Sequence, residues 1–195
     1  RRPRMLLRML HDVLHTPLPG GLRLADLPPQ CRQVEMEFHL PARKLDAAAL
    51  GEVLRQQGYD VSPLTFTALS GYLRGFIDLV FEYEGRYFIL DWKSNHLGET
   101  PADYAPDALQ RVMTERGYHL QALLYALALH RLLGQRLAGY DPERHFGGVR
   151  YLFVRGVRPY WVEPEGRAAG VYAHRPTPAT LKQLSDLLDG VRERP

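Results

Sequence analysis

The strongest constraint on the fold is a pair of apolar runs, residues 72–83 and 86–92, separated only by Glu84 and Gly85. Both runs are rich in Phe, Ile, Leu, Val and Tyr, the residue types favoured in β-strands. Two such runs joined by two residues that end in Gly are typical of a β-hairpin. The sequence therefore predicts a β-sheet that contains this hairpin.

Two further strands are indicated on either side of the hairpin in the chain. Residues 34–40 alternate strictly between apolar and polar side chains, the pattern of a strand with one buried face. Residues 149–154 form another apolar run, reached through two consecutive glycines. In the first strand we expect the apolar positions to be buried: Val34, Met36, Phe38 and Leu40. The alternating positions Glu35, Glu37 and His39 are expected to be exposed.

Helical periodicity marks the remaining segments. The segment 118–133 is apolar nearly all round, which predicts a buried helix. Thr177 is the expected N-cap of a final helix whose apolar stripe runs from Leu181 to Val191. The other helices are expected over residues 4–15, 45–57 and 103–116. This order of elements predicts an α/β fold, a mixed central β-sheet flanked by helices, in a single domain covering residues 1–195.

Composition excludes several classes of protein. A single cysteine, Cys31, rules out an internal disulfide framework and a four-cysteine metal or cluster site within the chain. No apolar run is long enough to span a membrane, and no signal peptide is recognisable, so we expect a cytoplasmic protein. The net charge of +3 permits nucleic acid as a partner. Of 25 basic residues other than histidine only three are lysine, so each lysine is informative.

Three charged residues stand out within the hairpin. If Glu84 and Gly85 form a two-residue turn, counting outward by equal steps brings Asp78 directly opposite Asp91. Lys93 follows two residues after Asp91, on the same face of the same strand. The hairpin therefore predicts two carboxylates and an ammonium group on one face of a pair of apolar strands.

This arrangement of charges destabilises the folded protein unless another group offsets it. Opposed like charges destabilise a sheet, and bare carboxylates among apolar residues are expensive to desolvate. A cation between Asp78 and Asp91 would remove both costs, and Mg²⁺ suits carboxylates, waters and phosphate oxygens. Lys93 would then orient or deprotonate a water, or neutralise charge developing on a phosphate. The alternative is that both acids face solvent at the strand ends, with Lys93 as a surface ion pair.

At this point the sequence resembles the RecB-type branch of the PD-(D/E)xK nuclease superfamily. The branch's glycine–acid strand, D-x-K strand and Q-x-x-x-Y helix occur in order at residues 75–78, 89–95 and 121–125. The resemblance extends to the nuclease domains of RecB subunits over about residues 10–190. It implies a restriction-endonuclease-like core. Each short motif is weak alone, but the ordered set is specific.

The resemblance also assigns roles to residues at the matching positions. Asp78 and Asp91 match the metal-binding acids of the family, and Lys93 matches its catalytic lysine. Glu35 matches an upstream acid of the active site, with Glu37 ranked second. Two helix residues, Gln121 and Tyr125, match those that line the site and contact DNA or the water shell of the metal. From the residues alone, Gln121 and Tyr125 are also compatible with two buried polar side chains whose hydrogen bonds are satisfied within the fold.

One departure from the family pattern concerns a histidine. The family has a histidine metal ligand on a helix well upstream of the strand that carries Glu35, whereas His11 and His15 lie too close to that strand. We therefore expect the chain to be the C-terminal fragment of a larger helicase–nuclease subunit, starting after this ligand. Weak metal affinity is the expected consequence. The other histidines show no metal-ligand spacing and are expected at the surface or in caps.

The expected function is that of a Mg²⁺-dependent deoxyribonuclease, of the exodeoxyribonuclease V type, that resects DNA ends in double-strand-break repair and homologous recombination. Mn²⁺ is an expected substitute, and Ca²⁺ is expected to bind without supporting cleavage. The resemblance implies single-stranded or unwound DNA ends, RecC- and RecD-like subunits and RecA as partners, and no membrane. Unwinding is expected to reside elsewhere, because the sequence has no phosphate-binding loop of the Gly-x-x-x-x-Gly-Lys-Ser/Thr type.

Three alternatives remain. The first is a nuclease-like scaffold, weak or inactive in catalysis, that binds DNA or partner subunits; such relatives should lose an acid or the lysine, and this chain keeps all three. The second is a Cas4-like nuclease, although its cluster-bearing form needs four cysteines. The third is a sequence-specific restriction enzyme, for which an extra base-reading segment is missing from the sequence.

Overall fold

The computed structural model describes residues 2–60, 68–162 and 166–191. Three short 3₁₀ turns, at Leu24–Asp26, Pro29–Cys31 and Pro101–Tyr104, accompany the main elements. In chain order these elements are α1 (Arg2–His15), β1 (Arg32–Asp46), α2 (Ala47–Gln56), β2 (Ala68–Tyr83), β3 (Arg86–Lys93), α3 (Pro106–Glu115), α4 (Tyr118–Arg136), α5 (Pro142–His145), β4 (Phe146–Phe153), β5 (Val171–His174) and α6 (Pro178–Asp189).

The five strands form one sheet in the order β1-β2-β3-β4-β5. β3 and β4 are parallel, and the other three neighbouring pairs are antiparallel. The long connection that contains α3 and α4 joins the parallel pair, as a parallel pairing requires. The predicted mixed sheet flanked by helices is therefore confirmed, in agreement with a restriction-endonuclease-like fold.

The predicted hairpin is also confirmed. β2 and β3 pair from Tyr83↔Arg86 to Leu79↔Leu90, the register that a two-residue turn dictates. Glu84 and Gly85 both have positive φ, 51° and 75°. Two positive φ values characterise the turn whose twist matches that of antiparallel strands, and Gly adopts this conformation at no steric cost.

The sheet is covered by apolar clusters on its two sides. One side packs against α2, α4 and α6, and α4 is buried along most of its length, as its all-round apolar sequence predicts. Its core contains Ile77, Ile89 and Tyr151. The other side lies beneath α1 and the segment that follows it, with Leu79, Leu90 and these residues in contact: Val13, Leu18, Leu22, Leu24 and Leu27. None of the described helices is both long and apolar enough to cross a membrane.

Several details differ from the prediction. Val34 is 66% exposed, so the expectation that it lies on the buried face of β1 is wrong. β5 and the one-turn α5 were not expected, because four residues are too few to show a period. α6 ends at Asp189, where Gly190 has φ 71°, and Val191 consequently lies beyond the helix and is exposed.

Candidate active site

The candidate site lies where the hairpin strands stop pairing. The last ladder pair is Leu79↔Leu90, and Asp78 and Asp91 occupy the next position outward. Here Asp78 Oδ2 accepts a hydrogen bond from the backbone N–H of Trp92, at 2.9 Å. The side chain of Asp78 thus takes the place of a backbone partner and is held beside β3.

A local irregularity in β1 and β2 sets this position. Ile77 and Leu79 pack into the clusters on opposite sides of the sheet, although residues two apart in a regular strand share a side. On β1 these two residues pair with Met36 and Val34, respectively. Between this pair of β1 residues lies Glu35, whose backbone has a φ of 51°. The register is the same before and after this position, so both strands are irregular at facing residues, Glu35 and Asp78. A positive φ at a non-glycine residue is strained and is commonly found at functional sites.

Asp91 is a buried carboxylate, 3% exposed. Lys93 Nζ lies 2.5 Å from Asp91 Oδ1, so the two side chains form a buried ion pair. Apart from this ammonium, Oδ1 has no partner in the described part of the chain. Burial raises the pKa of Asp91, the Lys93 ammonium opposes this shift, and the charge of Asp78 adds to it.

Lys93 is enclosed as well, at 9% exposure. Its Nζ donates a hydrogen bond to Gln121 Oε1 at 2.9 Å. The same nitrogen lies 4.1 Å from the ring centroid of Tyr118 and 5.0 Å from that of Tyr151. The ammonium is thus surrounded by a carboxylate, an amide oxygen and two aromatic faces, all of which favour a cation.

Lysine fixes the orientation of Gln121. An ammonium group can only donate, so Gln121 must turn its oxygen toward Lys93, and this oxygen also accepts from the Tyr151 hydroxyl at 3.1 Å. Gln121 Nε2 then donates to the Tyr125 hydroxyl at 2.9 Å. Because Tyr125 accepts in this bond, its own proton is available for another acceptor. Burial raises the pKa of Tyr125 to about 12, which keeps that proton in place at neutral pH.

The two glutamates of β1 differ in their surroundings. Glu37 is paired with Arg74, at 2.5 Å, and with His39, at 3.2 Å, on the exposed face of the sheet. The Glu35 side chain is exposed, and its carboxylate has no hydrogen-bond or ion-pair partner among the described residues. Glu35 is therefore the freer of the two to take part at the end of the hairpin, beside Asp78.

The donor set fits a hard divalent cation. Asp78 and Asp91 offer carboxylate oxygens from neighbouring strands, and the buried Oδ1 of Asp91 has no partner in the described chain besides the Lys93 ammonium. Mg²⁺ is commonly held by one or two carboxylates, with waters and phosphate oxygens completing its shell. Within residues 2–60, 68–162 and 166–191, no group of three or more His, Cys, Asp or Glu side chains is arranged to hold a metal.

Sequence reasoning did not identify Tyr118 and Tyr151 as part of this group. Tyr118 lies one helical turn before Gln121, a spacing that indicates a shared helix face. Tyr151 pairs with Asp91 across the parallel strands, which a sequence cannot show before the strand order is known.

The expectation for the remaining histidines is wrong for His119. This residue is 3% exposed, and its ring nitrogens contact Gln110 at 3.2 Å and Tyr172 at 3.5 Å. His174 bonds to the Tyr59 hydroxyl at 2.7 Å and is partly buried. Burial lowers the pKa of both histidines, that of His174 to about 4, so they are neutral structural groups at neutral pH.

Comparison with known proteins identifies the family of this chain. The family model of the PD-(D/E)XK nuclease superfamily matches residues 11–194. The RecBCD enzyme subunit RecB of Escherichia coli K12 is 42% identical over 192 residues, which is 96% of this chain and 16% of that protein.

Two further relatives carry the same name. The RecB subunit of Haemophilus influenzae is 41% identical over 93% of this chain and 14% of its own length. The RecB subunit of Mycobacterium tuberculosis CDC 1551 is 38% identical over 92% of this chain and 19% of its own length. The chain thus spans less than a fifth of the length of each of these relatives.

Proposed function

The chain belongs to the PD-(D/E)XK nuclease superfamily, and we propose that it hydrolyses phosphodiester bonds in DNA with the help of Mg²⁺. The observation that carries the proposal is the buried carboxylate of Asp91. Its Oδ1 has no partner in the described chain besides the Lys93 ammonium at 2.5 Å, and Asp78 adds a second negative charge nearby. Two carboxylates beside a single ammonium at a buried position are costly in a folded protein, and a bound cation would offset that cost.

Each residue has a distinct part in the proposed reaction. Asp78 and Asp91 would hold the cation, which when bound supplies Lewis-acid activation of a phosphate oxygen and of water. The Lys93 ammonium is held close to this position and stabilises the negative charge that develops on the phosphate as water attacks phosphorus. Gln121 keeps the ammonium in place, and the free Tyr125 proton is available to a phosphate oxygen or a water.

The donor count bears on affinity. With two carboxylates from the described chain, and Glu35 nearby without a described partner, the protein supplies few ligands of its own. Substrate phosphate and water must then complete the shell. We therefore expect a requirement for millimolar Mg²⁺, with Mn²⁺ as a substitute, and we expect Ca²⁺ to bind without supporting cleavage.

The names of the relatives suggest a wider role. Because they are subunits of the RecBCD enzyme, we propose that this chain acts on DNA ends during resection in double-strand-break repair and homologous recombination. Its substrate would be single-stranded or unwound DNA, and its partners subunits like RecC and RecD. Contact with RecA remains a prediction from the resemblance, and a cytoplasmic location remains a prediction from the sequence composition.

The test is incubation of the chain with linear single-stranded DNA, with Mg²⁺ and with EDTA, beside an Asp91→Ala variant. We expect fragments only from the wild type with Mg²⁺. DNA binding is measured separately by fluorescence anisotropy. Binding without cleavage by the folded wild type, at any Mg²⁺ or Mn²⁺ concentration, would refute the proposal and favour the scaffold alternative.

A further inference from the structure

We propose that Tyr118 and Tyr151 are positioning residues that hold the Lys93 ammonium in place. The rings approach Lys93 Nζ to 4.1 and 5.0 Å, distances at which an aromatic face attracts a cation. We call the two rings the aromatic cage of Lys93. Its consequence for DNA cleavage rests on the function proposed above, whereas its existence does not.

The two rings come from different elements that the fold brings together. Their centroids are 6.1 Å apart, with 34° between the ring planes. Tyr151 is fully buried on β4, opposite Asp91 in the parallel pairing. Tyr118 begins α4, one turn before Gln121. The ammonium therefore contacts one aromatic face from the sheet and one from the helix.

Both rings are themselves fixed by hydrogen bonds. The Tyr118 hydroxyl donates to Asn95 Oδ1 at 3.3 Å, which ties the start of α4 to the segment after β3. The Tyr151 hydroxyl donates to Gln121 Oε1, the oxygen that also accepts from Lys93. Burial strongly raises the pKa of Tyr151, so it stays a neutral donor. The cage is thus set before any ligand arrives.

The cage also explains why this position carries lysine. The chain uses arginine for nearly all its other cations, so a position that needed charge alone would be expected to carry arginine. Two rings, the Asp91 carboxylate and the Gln121 amide enclose a compact ammonium group. A planar guanidinium is larger and presents its donors in a rigid fork, so it would not fit the same enclosure.

The cage is tested in the metal-free chain by NMR of lysine labelled with ¹³C at the ε-carbon. The chain has only three lysines, and Lys93→Arg identifies the Lys93 signal by its loss. Ring currents should shift the ε-proton signal of Lys93 upfield of that of Lys182. We expect Tyr118→Phe to keep this shift, because the ring remains, and Tyr118→Leu to reduce it. Tyr140→Leu is the matched control, since Tyr140 is also partly buried and bonded through its hydroxyl, to His130.

A Lys93 signal at the position of Lys182 in the wild type would overturn the proposal. An upfield signal unchanged in folded Tyr118→Leu would overturn it too. If circular dichroism shows that Tyr118→Leu is unfolded, the position of the Lys93 signal in the wild type and in Tyr118→Phe still tests the proposal. A Phe variant that loses the upfield shift while remaining folded contradicts the role given to the ring.

Cleavage assays then test the consequence. For Tyr118→Leu we expect kcat to fall about tenfold, equivalent to about 1.4 kcal/mol, with KM nearly unchanged, because the ring acts on Lys93 rather than on DNA. Tyr118→Phe should retain most of the activity. Equal loss in the Leu and Phe variants would overturn the role of the ring in catalysis. A wild type that shows the NMR shift but cuts no DNA would refute the proposed function and leave the cage intact.

Discussion

Replacement of Asp78 by Asn should make the metal-free protein more stable. Asp78 lies one position beyond the last ladder pair, beside the buried Asp91, and its charge contributes to the raised pKa of Asp91. Asn has the same shape and retains an oxygen that can accept the bond from the Trp92 N–H. The substitution therefore removes a charge without removing the backbone contact.

The magnitude follows from the cost of opposed like charges in a sheet. Relief of that repulsion is worth about 0.5–1 kcal/mol, which for a chain of this size corresponds to a rise in Tm of about 1–4 °C. Divalent metal should reverse the order. A cation at ten times its Kd stabilises the folded wild type by about 1.4 kcal/mol, and the variant, having lost a ligand, should gain little.

Thermal melts in EDTA and in Mg²⁺ test both parts of this prediction. Glu82→Gln is the matched control, because Glu82 is also a β2 carboxylate that accepts a backbone bond, from the Gly85 N–H at 2.8 Å, but it lies near the turn. The control should respond to metal as the wild type does. An equal metal response in Asp78→Asn and the wild type would show that Asp78 is not a ligand, and a lower Tm of Asp78→Asn in EDTA would refute the repulsion.

Four further predictions concern the other residues of the site. Asp91→Asn and Lys93→Met should each lower single-turnover cleavage at least about 100-fold while circular dichroism shows a retained fold; near wild-type cutting by either would remove that residue from the mechanism. Gln121→Ala and Tyr125→Phe should slow cleavage but leave calorimetric Ca²⁺ binding normal, whereas lost binding would place them against the metal. Glu35→Gln should weaken Ca²⁺ binding without changing stability in EDTA, and unaltered affinity would exclude Glu35 as a ligand. In EDTA, the free energy of unfolding of the wild type minus that of Asp91→Asn should fall as pH rises above about 4, since the raised pKa of Asp91 makes the folded state bind more protons at this residue than the unfolded state does. Urea titrations of both proteins across pH measure this difference, in which the opposing contribution of the buried histidines cancels, and a difference that rises with pH would contradict the prediction.

The parts of the fold that local geometry determines could be predicted from the sequence. A two-residue turn leaves one register for the hairpin, so the pairs from Tyr83↔Arg86 to Leu79↔Leu90 follow from counting, although the ladder ends one position before Asp78 and Asp91. The buried nature of α4 follows from its apolar residues on all faces. These predictions depend on residues close together in the chain.

The remaining features depend on contacts that the sequence does not encode locally. The positive φ of Glu35 interrupts an alternation that reads as regular, and Val34 is consequently exposed. Tyr118 and Tyr151 join Lys93 only because β4 lies parallel to β3 and α4 crosses them. Pairings between distant segments decide these positions, and a single sequence contains no direct record of them.

The central claim is that the end of the hairpin is a metal-dependent site for cutting DNA. Single-turnover cleavage of a labelled linear single strand, measured against Mg²⁺ concentration, tests it most directly. We expect cutting by the wild type and Glu82→Gln to rise with Mg²⁺ and to be absent in EDTA, and folded Asp91→Asn to cut at least about 100-fold more slowly at every Mg²⁺ concentration. Cutting by the wild type in EDTA, or by Asp91→Asn at the wild-type rate, would contradict the claim.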